Sequence, residues 1–220
     1  MSRVLEMGSY DVNGTLRDFQ PDGSEWIGVD LVAGPAVDIV VEGTSRLPFE
    51  DKSFDVVVAS SVFEHDSTFW LTFQEMVRVT RDGGYIYLNV PSNGLVHRHP
   101  LDVYRFYPDA GKALLDWGRI AQPGLTLMES FVGLQDNGLW NDFCVVFGVN
   151  ASAPEIFLHR KTRFVNLWLN GEYVDETFEA QTQDHQIIFT QQQRIFELEE
   201  QLVKSKIEIM NLENRRMGSQ

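Results

Sequence analysis

Apolar residues along this chain fall into short runs separated by polar, glycine-bearing links, and the run lengths predict alternating strands and helices. Arg3-Val4-Leu5 leads into Glu6-Met7-Gly8, followed by a polar loop, Ser9-Tyr10-Asp11-Val12-Asn13-Gly14, and a helix-compatible run, Thr15-Leu16-Arg17-Asp18-Phe19. Trp26-Ile27-Gly28-Val29-Asp30-Leu31 reads as a second strand, and Val37-Asp38-Ile39-Val40-Val41 as a short, β-branched third. Phe54-Asp55-Val56-Val57-Val58-Ala59-Ser60 is the strongest buried-strand signal, because a parallel strand covered on both faces needs a near-continuous apolar run. Apolar positions at Phe69, Phe73, Met76, Val77 and Val79 have helical spacing over Phe69 to Thr80. Asp82-Gly83-Gly84 is expected to stop that helix, and Tyr85 to Val90 to form the next strand, ended by Pro91.

Beyond Pro91, an amphipathic helix is predicted from about Pro108 to Trp117, and a closing pair of strands at Leu125–Phe131 and Phe143–Val149. The alternation predicts an α/β fold: a Rossmann-like sheet, mostly parallel, with an antiparallel edge strand. Residues 1–150 are expected to form this domain. Residues 151–186 show no clear period and read as an irregular connecting segment. In residues 187–216 the period changes again. Ile188, Ile195, Leu202 and Ile209 recur every seven residues, and Gln191, Leu198, Ser205 and Leu212 fill the second seam. That is a heptad helix, read as a coiled coil joining two or more copies, or gripping a pathway partner enzyme, rather than a helix packed on its own domain.

Charge and cysteine content narrow the partners. A net charge of −14 over 220 residues argues against a nucleic-acid backbone and an anionic membrane surface. The tail's own charges nearly cancel, so the acidity resides in the globular part. One cysteine, Cys144, excludes a disulfide framework or a thiolate metal cluster within one chain. Neither a membrane-spanning run nor a signal peptide is read, so the expected location is cytoplasmic.

The candidate chemistry begins at the first loop. Gly8 permits a sharp turn and close ligand approach. Asp30, ending the second strand about twenty residues after the loop, is placed to accept hydrogen bonds from ribose hydroxyls. The fingerprint G-x-G-x-x-G of dinucleotide binding is absent, which counts against a nicotinamide-dependent oxidoreductase. After the fifth strand, His97, His99, Asp102, Tyr104, Arg105 and Tyr107 crowd the carboxyl-end face, where open α/β sheets bind ligands. The spacing of His97 and His99 does not indicate a metal site, and none is expected.

The order of elements resembles the class I S-adenosylmethionine-dependent methyltransferases, and among them a subgroup acting on small molecules and cell-surface saccharides. The resemblance covers about Arg3 to Val149. It rests on Val4-Leu5-Glu6-Met7-Gly8-Ser9, on Gly28-Val29-Asp30, on Leu47-Pro48-Phe49-Glu50-Asp51-Lys52-Ser53-Phe54-Asp55-Val56-Val57, and on Val62-Phe63-Glu64-His65 with Glu75 to Gly84. It implies S-adenosyl-L-methionine as cofactor, held by Glu6, Gly8, Ser9, Asp30, Leu31, Thr44, Ser45, Ser60 and Phe63. It also implies methyl transfer by in-line displacement, with His65 and His99 as candidate catalytic bases. His97, Tyr104, Arg105 and Tyr107 are left to bind a small-molecule or saccharide acceptor. Two departures stand out: Tyr10 where a second glycine is usual, and Gly43 where many members have an acid that contacts adenine. A methyltransferase-like module that serves assembly through its tail is the alternative.

Overall fold

The computed structural model describes residues 1–12, 14–43, 46–134, 140–161, 164–178 and 183–217. Nine strands form one sheet, in the order β3-β2-β1-β4-β5-β7-β6-β8-β9. Its parallel half comprises β1 (Arg3–Met7), β2 (Glu25–Asp30), β3 (Ile39–Val40), β4 (Phe54–Ser60) and β5 (Thr80–Pro91). The chain runs outward from β1 through β2 to β3, then returns to place β4 on the other side of β1. That reversal opens a crevice at the carboxyl ends of β1 and β4, the usual ligand position in open α/β sheets.

The continuous apolar run of β4 is explained by its position between β1 and β5, with Phe54, Val57 and Ala59 fully buried. Helix α1 (Phe69–Val79) buries Phe73, Met76, Val77 and Val79, the stripe its spacing predicts. Its end differs from expectation. The helix closes at Val79, with the Thr80 hydroxyl on the Met76 carbonyl (2.7 Å), and β5 begins at once. Asp82-Gly83-Gly84 therefore lies inside the strand, where a register shift between Phe54 and Val56 of β4 accommodates it. Helix α2 (Asp109–Arg119) lies close to the predicted bounds.

Three expectations are corrected. The run after the first loop forms only a single 3-10 turn, Leu16–Phe19, not a helix, so no α-helix N-terminus faces the Gly8 loop. The antiparallel strand is not at an edge: β7 (Asn141–Val149) sits between β5 and β6 (Leu125–Leu134), antiparallel to both. The segment expected to be irregular carries β8 (Phe164–Asn170) and β9 (Thr177–Phe178), which extend the same sheet beyond β6. Long-range hydrogen bonds hold it there. Glu129 of β6, 1% exposed, accepts from the backbone N–H groups of Leu158 (2.6 Å) and His159 (3.1 Å) and lies 2.6 Å from His159 Nδ1. Ser130 of β6 donates to the Asn170 side-chain oxygen (2.8 Å). Neither contact leaves a periodic signal in the sequence.

Residues 1–179 form one compact unit and 180–220 a second. In the second, α3 (Gln183–Met217) is one helix of 35 residues, about 52 Å long at 1.5 Å per residue. Ile188, Ile195, Leu202 and Ile209 on it are each at least half exposed. Among the described residues no helix is long and apolar enough to cross a membrane.

Candidate active site

The loop after β1 is built around Gly8, whose φ of +65° is left-handed and whose Cβ, if present, would stand 2.3 Å from Val62 Cγ2. A side chain at position 8 would meet both penalties. Below the loop, Glu6 is 4% exposed and fully employed. Its carboxylate accepts from Trp26 Nε1 (2.8 Å), the Leu16 N–H (3.2 Å) and the Thr15 hydroxyl (3.2 Å). Glu6 therefore fastens the start of the 3-10 turn to β1 and β2. Ser9 is 2% exposed; its N–H reaches the Val29 carbonyl (3.1 Å), while its hydroxyl has no hydrogen-bond partner among the described residues.

Asp30 ends β2 beside this loop and accepts from the N–H groups of Tyr10 (3.1 Å) and Val32 (3.3 Å). A carboxylate has about four lone-pair positions, so acceptor capacity remains for hydroxyl groups. Tyr10, the residue that departs from a second glycine, lays its ring on Gly34: a Cβ there would be 2.0 Å from Tyr10 Cε2. The bulk is thus absorbed by the loop after β2. Leu31 is exposed, and Ser60, half buried, ends β4 across the crevice. Phe63 is different: it is fully buried against Phe69 (ring centroids 5.5 Å) and supports the loop from the core. Thr44 and Ser45 lie outside the described residues, as does Asn13.

The acceptor-side candidates do not behave as one group. Arg105 forks onto Asp102 (2.5 and 2.8 Å) and reaches the carbonyls of Tyr104 (2.8 Å) and Leu95 (2.9 Å). The hydrogen bond from Arg105 holds the Asp102 carboxyl well below the usual carboxylate range, with its charge adding to the effect. Asp102 in turn accepts from the His97 N–H (2.7 Å), so Arg105 and Asp102 shape the loop. Tyr104 packs on Phe69 (5.1 Å) and donates to the Ser67 carbonyl (3.3 Å). Tyr107 is 46% exposed, and its carbonyl starts α2 by accepting from the Ala110 N–H (2.7 Å). His99 is exposed, with its backbone N–H on the Leu101 carbonyl (3.4 Å).

The structure gathers His65 and His97, edge to face at 4.9 Å, around a residue the sequence reading passed over. Glu64, just after β4, is fully buried, and among the described residues neither carboxylate oxygen receives a hydrogen bond from any other residue. Its Oε1 lies 3.6 Å from His65 Nε2 and 4.0 Å from His97 Nε2. Burial pushes its carboxyl up to about 7, despite its own backbone N–H and the Arg105 charge. Burial also lowers the His65 pKa, with the Leu101 carbonyl at Nδ1 opposing and the neighbouring histidines adding to the fall. Trp140 closes the far side of His97 at 5.0 Å. Glu64 stood in the quoted motif Glu64-His65; nothing in the sequence marked its carboxylate as buried without a donor.

Parts of the chain resemble known proteins. A family model described as a methyltransferase domain matches residues 13–88. An uncharacterized methyltransferase of Mycobacterium sp. (strain JLS) is 42% identical over 81 residues, 32% of this chain and 32% of that protein. The phthiotriol/phenolphthiotriol dimycocerosates methyltransferase 1 of Mycobacterium ulcerans (strain Agy99) is 47% identical over 55 residues, 24% of this chain and 19% of that protein. The chain thus matches a third or less of the length of these curated relatives. A solved SAM-dependent methyltransferase of Methanosarcina mazei has a TM-score of 0.51 at 16% identity, covering 69% of this chain and 93% of that one. The 1,6-didemethyltoxoflavin-N1-methyltransferase of Burkholderia thailandensis, solved with S-adenosylhomocysteine, has a TM-score of 0.51 at 17% identity, covering 66% and 70%. The structural likenesses speak for a Rossmann-like fold. The family model and the curated relatives show a likeness to methyltransferases over about a third of the chain or less.

Proposed function

We propose that this chain is an S-adenosylmethionine-dependent methyltransferase domain acting on a small molecule or saccharide in the cytosol. The observation that carries the reading is Asp30, set beside the left-handed Gly8 turn at the crevice where strand order reverses. The residues fit the cofactor. Asp30 keeps acceptor capacity for ribose hydroxyls, and the buried Ser9 hydroxyl lacks a partner among the described residues. Gly8 and Leu31 border the same crevice, with Ser60 opposite. Glu6 acts through the loop it fastens.

When bound, S-adenosylmethionine supplies an electrophilic methyl group on a sulfonium and leaves as a neutral thioether. The chain's own task is to hold the acceptor in line and exclude water, which is worth up to ~7–11 kcal/mol in favourable cases. His65 and His97 lie together in the loops after β4 and β5, and His65 is the histidine we take as catalytic. Exposed His99 is the weaker candidate. The matched methyltransferase family model supports the cofactor, and the acidic chain suits a small neutral acceptor rather than a nucleic acid.

Isothermal titration with S-adenosylmethionine and S-adenosylhomocysteine tests the reading. Wild type is expected to bind both, and Asp30→Ala to weaken binding at least about tenfold, or about 1.4 kcal/mol. A wild type that binds neither would overturn the enzyme reading and favour an assembly module. Self-association through the heptad seam of α3 is proposed alongside. Sedimentation of the full chain should give an oligomer that Ile195→Lys with Leu202→Lys converts to monomer; a monomeric wild type would leave a different partner for the tail.

A further inference from the structure

We propose that Glu64, His65 and His97 form a site for a divalent transition-metal cation of the Zn²⁺ kind, with an open coordination position facing the crevice. One ligand atom from each residue lies within 4.8 Å of the other two. Tetrahedral coordination at about 2.0–2.1 Å separates ligand atoms by about 3.3 Å. The Glu64 Oε1 distances of 3.6 and 4.0 Å to the two Nε2 atoms therefore need closing by about 0.3 and 0.7 Å, and the third pair of ligand atoms, within 4.8 Å, by at most about 1.5 Å, within reach of side-chain rotation.

Two further observations point to a ligand. The Glu64 carboxylate is fully buried and, among the described residues, receives no hydrogen bond from any other residue, a costly arrangement that a cation relieves. Both histidines are also oriented as metal ligands usually are. His65 Nδ1 faces the Leu101 carbonyl, and His97 Nδ1 lies between the Leu95 carbonyl (3.3 Å) and Asp102 Oδ2 (3.5 Å). These partners accept only, so each Nδ1 carries the proton and each Nε2 lone pair points toward Glu64. Arg105 anchors Asp102 behind His97, completing the outer layer. Glu64 is buried while His65 and His97 are partly open, so the remaining position faces outward, as in three-ligand catalytic sites. Two imidazoles and one carboxylate suit Zn²⁺ or Fe²⁺ better than Ca²⁺ or Mg²⁺. The site's use, polarising an acceptor oxygen so that His65 acts through the cation, rests on the methyl-transfer reading; cation binding does not.

The test uses the full chain, stripped with chelator and dialysed against Zn²⁺ without S-adenosylmethionine, with metal read by atomic emission. One Zn²⁺ per chain is expected, lost or weakened more than 100-fold in Glu64→Gln and in His97→Ala, and retained in His185→Ala on the tail. Asp102→Asn should weaken binding about 10–100-fold through His97. Co²⁺ should give the intense visible bands of a four-coordinate site. Wild type binding no more Zn²⁺ than Glu64→Gln, or octahedral Co²⁺ spectra, would overturn the proposal. Glu64→Gln removes only an unpaired buried carboxylate and is expected to fold, as circular dichroism checks. Metal binding without cofactor binding, or the reverse, shows which of the two readings has failed.

Discussion

Glu6 and Glu64 stand at the carboxyl ends of the neighbouring strands β1 and β4, both buried, and their surroundings are opposite. Glu6 receives an indole N–H, a backbone N–H and a hydroxyl. Among the described residues Glu64 receives none from any other residue, and faces two imidazole nitrogens instead. A buried carboxylate with its donors in place is part of the scaffold, as Glu129 is on β6. One without them is destabilising unless something from outside completes it. Burial alone therefore does not distinguish structural from functional acids; the count of donors does.

The largest expected effect tests the scaffold side. Glu6→Leu leaves the Trp26 and Leu16 donors buried and unpaired and should cost about 3–5 kcal/mol in urea unfolding; a loss under about 1 kcal/mol would show that the loop does not depend on it. Gly8→Ala comes next. Its left-handed backbone and the 2.3 Å approach to Val62 should cost about 2–3 kcal/mol. Val62 lies two residues before Glu64, so this variant should also weaken Zn²⁺ binding, whereas Glu6→Gln should not.

Glu75 supplies a smaller contrast, an acid with charged partners. Burial raises its pKa, but the Arg78 hydrogen bonds (2.6 and 2.8 Å), the Leu47 N–H (2.8 Å) and nearby positive charge outweigh it, so the net shift is downward. A lowered carboxylate pKa adds stability above its unfolded value and loses it as pH falls through the folded value. Glu75→Gln should therefore cost about 1–2 kcal/mol at pH 7, and the gap should begin to shrink as pH falls past the unfolded value of 4.5 and close below the lower folded one. The smallest effect is expected at Glu64. In chelator-treated protein Glu64→Gln should cost nothing, or gain up to about 1 kcal/mol, because no donor is lost. A loss comparable to Glu6→Leu would erase the distinction between the two acids.

Much of the architecture was legible in the chain. The fully covered β4 and the α1 stripe follow from near-continuity and a period of 3.6, and the tail is helical over Gln183–Met217. The strands beyond Val149 were not legible, because Glu129 and Ser130 hold them through contacts about thirty and forty residues away. The site shows the same division. Asp30 and Gly8 were readable because a strand end and a turn impose residue types locally. Phe63, read as bordering the cofactor, belongs to the core, since one residue's step along a loop reverses its direction. Tyr104 and Arg105, read as acceptor-binding, are engaged in packing and in holding Asp102.

By itself the sequence determined the parallel α/β half and the acid and turn that stand at the carboxyl ends of β1 and β2. These depend on side-chain pattern within a few residues. Only the tertiary structure decided that β7 lies inside the sheet, that 164–178 adds strands, and that Glu64 meets His65 and His97. Those outcomes depend on which distant donors reach a buried acceptor. A hydrogen bond across the sheet, or its absence at Glu64, has no period for a sequence to carry.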